Sequence, residues 1–68
     1  MKLVWFTEAH IHITEKFNRR ILVNVDNITC IVPSGRDNES HIYFNGEESN
    51  FVTVTGTVEE AFKTIELA

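Results

Sequence analysis

Two histidines one residue apart, His10 and His12 in AHIHIT, come nearest in this chain to metal chemistry. Positions i and i+2 of an extended strand share a face, so both imidazoles would project together and could chelate one ion. Zinc or nickel would need further donors, for which Glu8, Glu15, Cys30 and His41 are the candidates. None of these stands at the spacing of a zinc finger or a helix-borne metalloprotease motif. Alternating His and Ile is also the pattern of a strand with one face in water, and we adopt that reading, expecting no metal and no cofactor.

Nucleophilic catalysis finds less support. Cys30, His41 and Asp37 would supply nucleophile, base and orienter, but Cys30 sits in the apolar run Ile28 to Val32, where a buried, inert thiol is expected. The carboxylate pairs Glu47-Glu48 and Glu59-Glu60 are adjacent in sequence and so face different ways on a strand or helix. A chain this short has little depth for a water-excluding pocket, and no enzymatic activity is expected.

Recognition chemistry is denser in the polar stretch SGRDNES, Ser34 to Ser40, which reads as a surface loop. Arg36 offers a planar fork to a carboxylate or phosphate, with Asp37, Asn38 and Ser34 adding hydrogen-bonding groups. Lys16, Arg19 and Arg20 form a second basic group, read as a solvated turn.

The elements that must position these residues belong to one small domain, residues 1–68. Hydrophobic residues make up 43% and charged residues 24%, an ordinary globular composition. A chain of about 60 residues buries only roughly 60% of its unfolded surface, so a lone core is marginal. Disulfides, metals or self-association usually compensate, and a single cysteine rules out an internal disulfide. Six basic residues against ten acidic ones, net charge −4, argue against nucleic acid as a partner. Neither a membrane span nor a signal-peptide pattern is present, and with a lone thiol this predicts a cytoplasmic protein.

KLVWF near the start is apolar on both parities, Leu3 and Trp5 against Val4 and Phe6, so the face left uncovered carries Trp5 or Phe6. The HIHI alternation extends or resumes that strand, TEKFN is a turn candidate, and RILVNV is a second strand. Asp26-Asn27 punctuates the chain before a third strand, Ile28 to Val32, which Pro33 closes. HIYF and FVTVT flank Asn45-Gly46, a hairpin signal. Thr57-Val58-Glu59-Glu60 fits a capping box, and Val58, Ala61, Phe62 and Ile65 recur at helical spacing as a stripe that must dock on the sheet. The fold expected is α+β: an antiparallel β-meander of four to five strands with one C-terminal helix packed on one face.

ILVNVDNITCI, a Pro-containing turn, IYFNG and FVTVTGTVEEAFKTIE follow one another in an order that resembles the small FlbD-like family, whose label is flagellar. The resemblance covers residues 21–65 and rests on Asn24, Ile28, Gly46, Val52, Val54, Glu59 and Glu60. AHIHITEKFNRR departs from the family's short Gly-containing turn, and TGT from its acidic residue and serine. The resemblance implies a fold and carries no catalytic residue with it. Comparable small proteins also occur in prophage-rich bacterial genomes.

One short helix cannot cover a whole sheet, and contiguous exposed apolar patches are rare on monomers. A homo-oligomer is therefore expected: a non-enzymatic interaction module, bacterial or prophage, accessory or regulatory, that binds a protein partner through Arg36, Asp37, Asn38 and Trp5. The alternative is an oligomer whose inter-subunit clefts hold a small anionic ligand such as a nucleotide, using Arg36, or Arg19 and Arg20, with Trp5 or Tyr43 stacking.

Overall fold

The computed structural model of the chain describes the backbone of residues 1–12 and 15–68 and the side chains of residues 1–9 and 18–68. Strands β1 (Leu3–His12) and β2 (Glu15–Asn24) pair antiparallel, from Leu3↔Asn24 to His12↔Glu15. A 3₁₀ turn, Val25–Asn27, leads into β3 (Ile28–Pro33), β4 (Glu39–Phe44) and β5 (Phe51–Thr55), an antiparallel meander. Helix α1 (Val58–Leu67) closes the chain. This is the expected α+β fold, a five-stranded antiparallel sheet with one C-terminal helix.

The strand order is β2-β1-β5-β4-β3, so the 3₁₀ turn joins the two outermost strands. In a flat sheet those strands would lie four spacings, roughly 19 Å, apart. Three 3₁₀ residues and their junctions cover only about 8 Å, so the sheet must roll until the end of β2 reaches the start of β3. Hairpin and meander join where β1 meets β5, at the rung Glu8↔Val54.

Rolling creates an inside. Val4, Phe6, Val23, Ile42, Val54 and Ala61 form the buried core, with Ile21, Val25, Ile28, Ile31, Phe44, Val52 and Ile65 packed against it. Burying one such large side chain contributes roughly 1.5–3 kcal/mol, so a centre of six residues is thin for a chain that must also order its loops. Strand parity sends Leu3, Trp5 and Leu22 outward on the hairpin. On the meander, Cys30, Val32, His41, Tyr43, Phe51 and Thr53 share the outer face.

Helix α1 begins with the full capping box: Thr57 N–H donates to Glu60 Oε1 at 3.0 Å, and Glu60 N–H to Thr57 Oγ1 at 3.2 Å. At the other end Lys2 Nζ donates to the Ile65 carbonyl at 2.8 Å, a cation where the helix dipole is negative. Gly46 N–H donates to Thr29 Oγ1, and Glu47 N–H to the Phe44 carbonyl across Asn45 and Gly46, whose φ angles of 55° and 72° suit a tight primed turn.

Several expectations change. Cys30 is exposed, because a bulge between Ile28 and Cys30 rephases β3: Ile28 and Ile31 face in, while Cys30 and Val32 face out. Phe62 is 59% exposed, lying about 100° around the helix from the buried Ala61, beyond the arc that one short helix presents to the sheet. Glu15–Asn18 is strand rather than turn, since β1 and β2 pair along ten residues each and the ladder satisfies their amides. The polar loop ends at Asn38, and Glu39 and Ser40 are buried in β4, where Ser40 Oγ donates to the Gly56 carbonyl at 2.8 Å. Of Trp5 and Phe6, Phe6 is in the core and Trp5 points out.

Candidate functional site

The hairpin supplies the first candidate surface. Leu3, Trp5 and Leu22 are 46%, 54% and 47% exposed on one face. Trp5 lies directly opposite Leu22 in the register. Val25 N–H donates to the Lys2 carbonyl at 2.9 Å, and antiparallel pairs alternate, so Trp5↔Leu22 is a non-hydrogen-bonded pair with its side chains close together. The Arg20 guanidinium sits over the indole, 5.7 Å from the ring centroid, within the range of a cation–π contact.

The opposite side of the hairpin is polar at one point. Glu8 is buried and accepts from Arg19 Nε, directly across the β1–β2 ladder. A buried carboxylate without a cation would lose its hydration uncompensated, so Arg19 is committed to Glu8. The group read as a solvated turn therefore lies on β2, with Arg19 on a carboxylate and Arg20 on an aromatic ring.

On the meander, His41, Tyr43 and Phe51 form an aromatic cluster that sequence reading did not assemble. Ring centroids are 4.9 Å apart for His41–Phe51, nearly perpendicular, and 5.2 Å for Tyr43–Phe51. His41 Nδ1 is 2.9 Å from Thr53 Oγ1, which orients the imidazole. The detectable signal was the alternation of HIYF and FVTVT: pairing Tyr43↔Phe51 and His41↔Thr53 puts these side chains on one face.

Arg36, Asp37 and Asn38 are together and exposed in the loop between β3 and β4, while Trp5 is on β1. Arg36 N–H donates to Ser34 Oγ at 3.2 Å, and Asn38 holds a φ of 59°. Arg36 also lines an open hollow of about 370 Å³ with Ala9, Ser34, Glu39, His41, Phe51 and Thr53. Cys30 lines a different hollow, of about 490 Å³, with Tyr43, Glu47 and Glu48, and Asp37 a third beside the start of α1. Cys30 and His41 thus line different hollows on the one outer face of the meander, and Asp37 lines a third beside α1.

His10 and His12 are in the distal part of β1, and their side chains, with that of Glu15, lie outside the described residues. Among the described residues no group of three or more His, Cys, Asp or Glu side chains is placed to hold a metal ion. No described helix is long and apolar enough to cross a membrane. The arrangement presents an apolar surface on the hairpin and a polar loop at the end of the meander, and the chain has no match among family models, curated proteins or solved structures.

Proposed function

We propose that the chain is a small non-enzymatic interaction module that assembles with itself and binds a protein partner. The observation that carries this reading is the outward Leu3–Trp5–Leu22 surface on the hairpin, three large apolar side chains about half exposed on one face. Leaving such a surface in water forgoes stabilisation that a thin core can ill spare. The loop 34–38, with Arg36, Asp37 and Asn38 exposed, is the surface offered to the protein partner. A cytoplasmic setting and a bacterial or prophage source belong to the same proposal.

A second reading, an oligomer that sequesters a small anion such as a nucleotide, draws on the hollow where Arg36, His41 and Phe51 meet. Arg19 is already held by Glu8, so protein binding is the stronger reading. Sedimentation of the dilute chain tests self-assembly: a species larger than 7.8 kDa is expected, and a monomer at all concentrations overturns it. A thermal-shift screen with nucleotides tests the second reading, since a ligand selective for the folded state raises the melting temperature.

A further inference from the structure

The two edges of the sheet differ in how they are protected. At one edge, β3 carries a bulge between Ile28 and Cys30 and ends in Pro33, both of which blunt an edge against pairing. At the other, β2 carries neither from Arg20 to Asn24, and no strand pairs with its second edge among the described residues. The Val25-to-Lys2 hydrogen bond sets the phase of the hairpin: Val23, Ile21 and Arg19 exchange main-chain bonds with β1, while the amides of Arg20, Leu22 and Asn24 point away from it. Leu22 thus combines an exposed apolar side chain with an N–H and C=O directed at the open edge.

We propose that β2 pairs antiparallel with β2 of a second copy about a two-fold axis through Leu22, making one continuous ten-stranded sheet. This rests on the homo-oligomer reading above and names the surface that performs it. Charge disfavours registers centred on the arginines, and the exposed apolar Leu22 favours a register centred on itself. An axis through or between Arg19 and Arg20 sets guanidinium against guanidinium, which is destabilising. The axis through Leu22 sets Arg20 opposite Asn24 of the second copy, near the turn that carries that copy's Asp26, an exposed carboxylate already 3.8 Å from the Met1 ammonium of its own chain, and symmetry repeats the approach. Leu22 then faces Leu22 of the second copy as a hydrogen-bonded pair. The Trp5–Leu22 contact of each copy becomes half of one apolar row across the joined outer face.

Cysteine cross-linking tests the register in a Cys30→Ser background, where the exposed native thiol cannot compete. Leu22→Cys places two Cα atoms about 5.5 Å apart across the axis, inside the disulfide range of about 4.4–6.8 Å. Arg20→Cys places them about 14 Å apart, out of reach. Under mild oxidation the Leu22→Cys chain is expected to form covalent dimers at least about tenfold faster than the Arg20→Cys chain. Equal rates, with the native chain still oligomeric in sedimentation, overturn the β2 pairing and leave the homo-oligomer reading intact. A native chain that is monomeric overturns both. Should a cysteine variant fail to fold, charge reversal decides: Asp26→Lys should weaken self-association and added Arg20→Glu should restore it, whereas no effect of either overturns the register.

Discussion

On the meander, Phe51 has two ring neighbours, His41 at 4.9 Å and Tyr43 at 5.2 Å, and the adjoining edge is blunted by a bulge and a proline. On the hairpin, Trp5 has a cross-strand leucine and a guanidinium over its ring, and the adjoining edge is open from Arg20 to Asn24. Both halves obey the same alternation and both carry large side chains outward. The difference lies in what surrounds them. Phe51 meets both of its ring neighbours on the single neighbouring strand β4, as Trp5 meets Leu22 and Arg20 on β2, so the two faces differ in the kind of neighbour, aromatic against aliphatic and cationic. Phe51 is 44% exposed, close to the 46–54% of Leu3, Leu22 and Trp5, so both outer faces leave apolar surface in water. The hairpin groups three such side chains where the meander has one.

The largest effect expected is on the shared interior. Ile42 is fully buried at the centre of the meander, and Ile42→Ala should cost about 2–5 kcal/mol in chemical denaturation, enough to unfold much of the population. A loss below about 1 kcal/mol would mean that the two halves do not share one core.

Next is the polar contact on the hairpin's inner side. Arg19→Met should cost about 2 kcal/mol by leaving Glu8 buried without its cation. Combining it with Glu8→Leu should recover most of that loss in the same assay. If the double variant is as unstable as the single, Glu8 is not desolvated in the way its burial indicates.

The outer faces are compared directly by Phe51→Ala and Trp5→Ser. Phe51→Ala should cost about 1–2 kcal/mol, through lost burial and two aromatic contacts. Thr57→Ala, which removes the helix cap, should cost about 1 kcal/mol, read as lost helical signal and an earlier midpoint. Trp5→Ser should cost the isolated monomer about 1 kcal/mol, through its lost Leu22 and Arg20 contacts, while removing the concentration dependence of the melting temperature. A concentration dependence that survives Trp5→Ser would erase the contrast between the faces.

Much of the architecture is legible in local pattern. Thr57 and Glu60 stand at capping-box spacing and form that box, because cap and first turn involve neighbours in sequence only. Pro33 ends β3, and Asn45 and Gly46 take the positive φ angles that their small or locally bonding side chains permit. The candidate site was less legible. Arg36, Asp37 and Asn38 were recognisable as an exposed loop from composition, but Arg19 resembled a free cation until β1 set Glu8 opposite it. Leu22 resembled an ordinary strand residue until the hairpin register turned its amides to the edge.

The sequence by itself determined the class of element at nearly every position, through alternation, caps, proline and glycine, whose physics spans a few residues. It also determined that one of Trp5 and Phe6 would be left outside, since a strand apolar on both parities cannot turn both into one thin core. Only the tertiary structure decided which. The roll of the sheet around Ile42 and Val54 drew Phe6 inward, and a one-residue bulge moved Cys30 from the inside to the outside of β3. Both outcomes depend on the phase of strands distant in sequence, and because side chains alternate with period two, a shift of a single residue reverses every face.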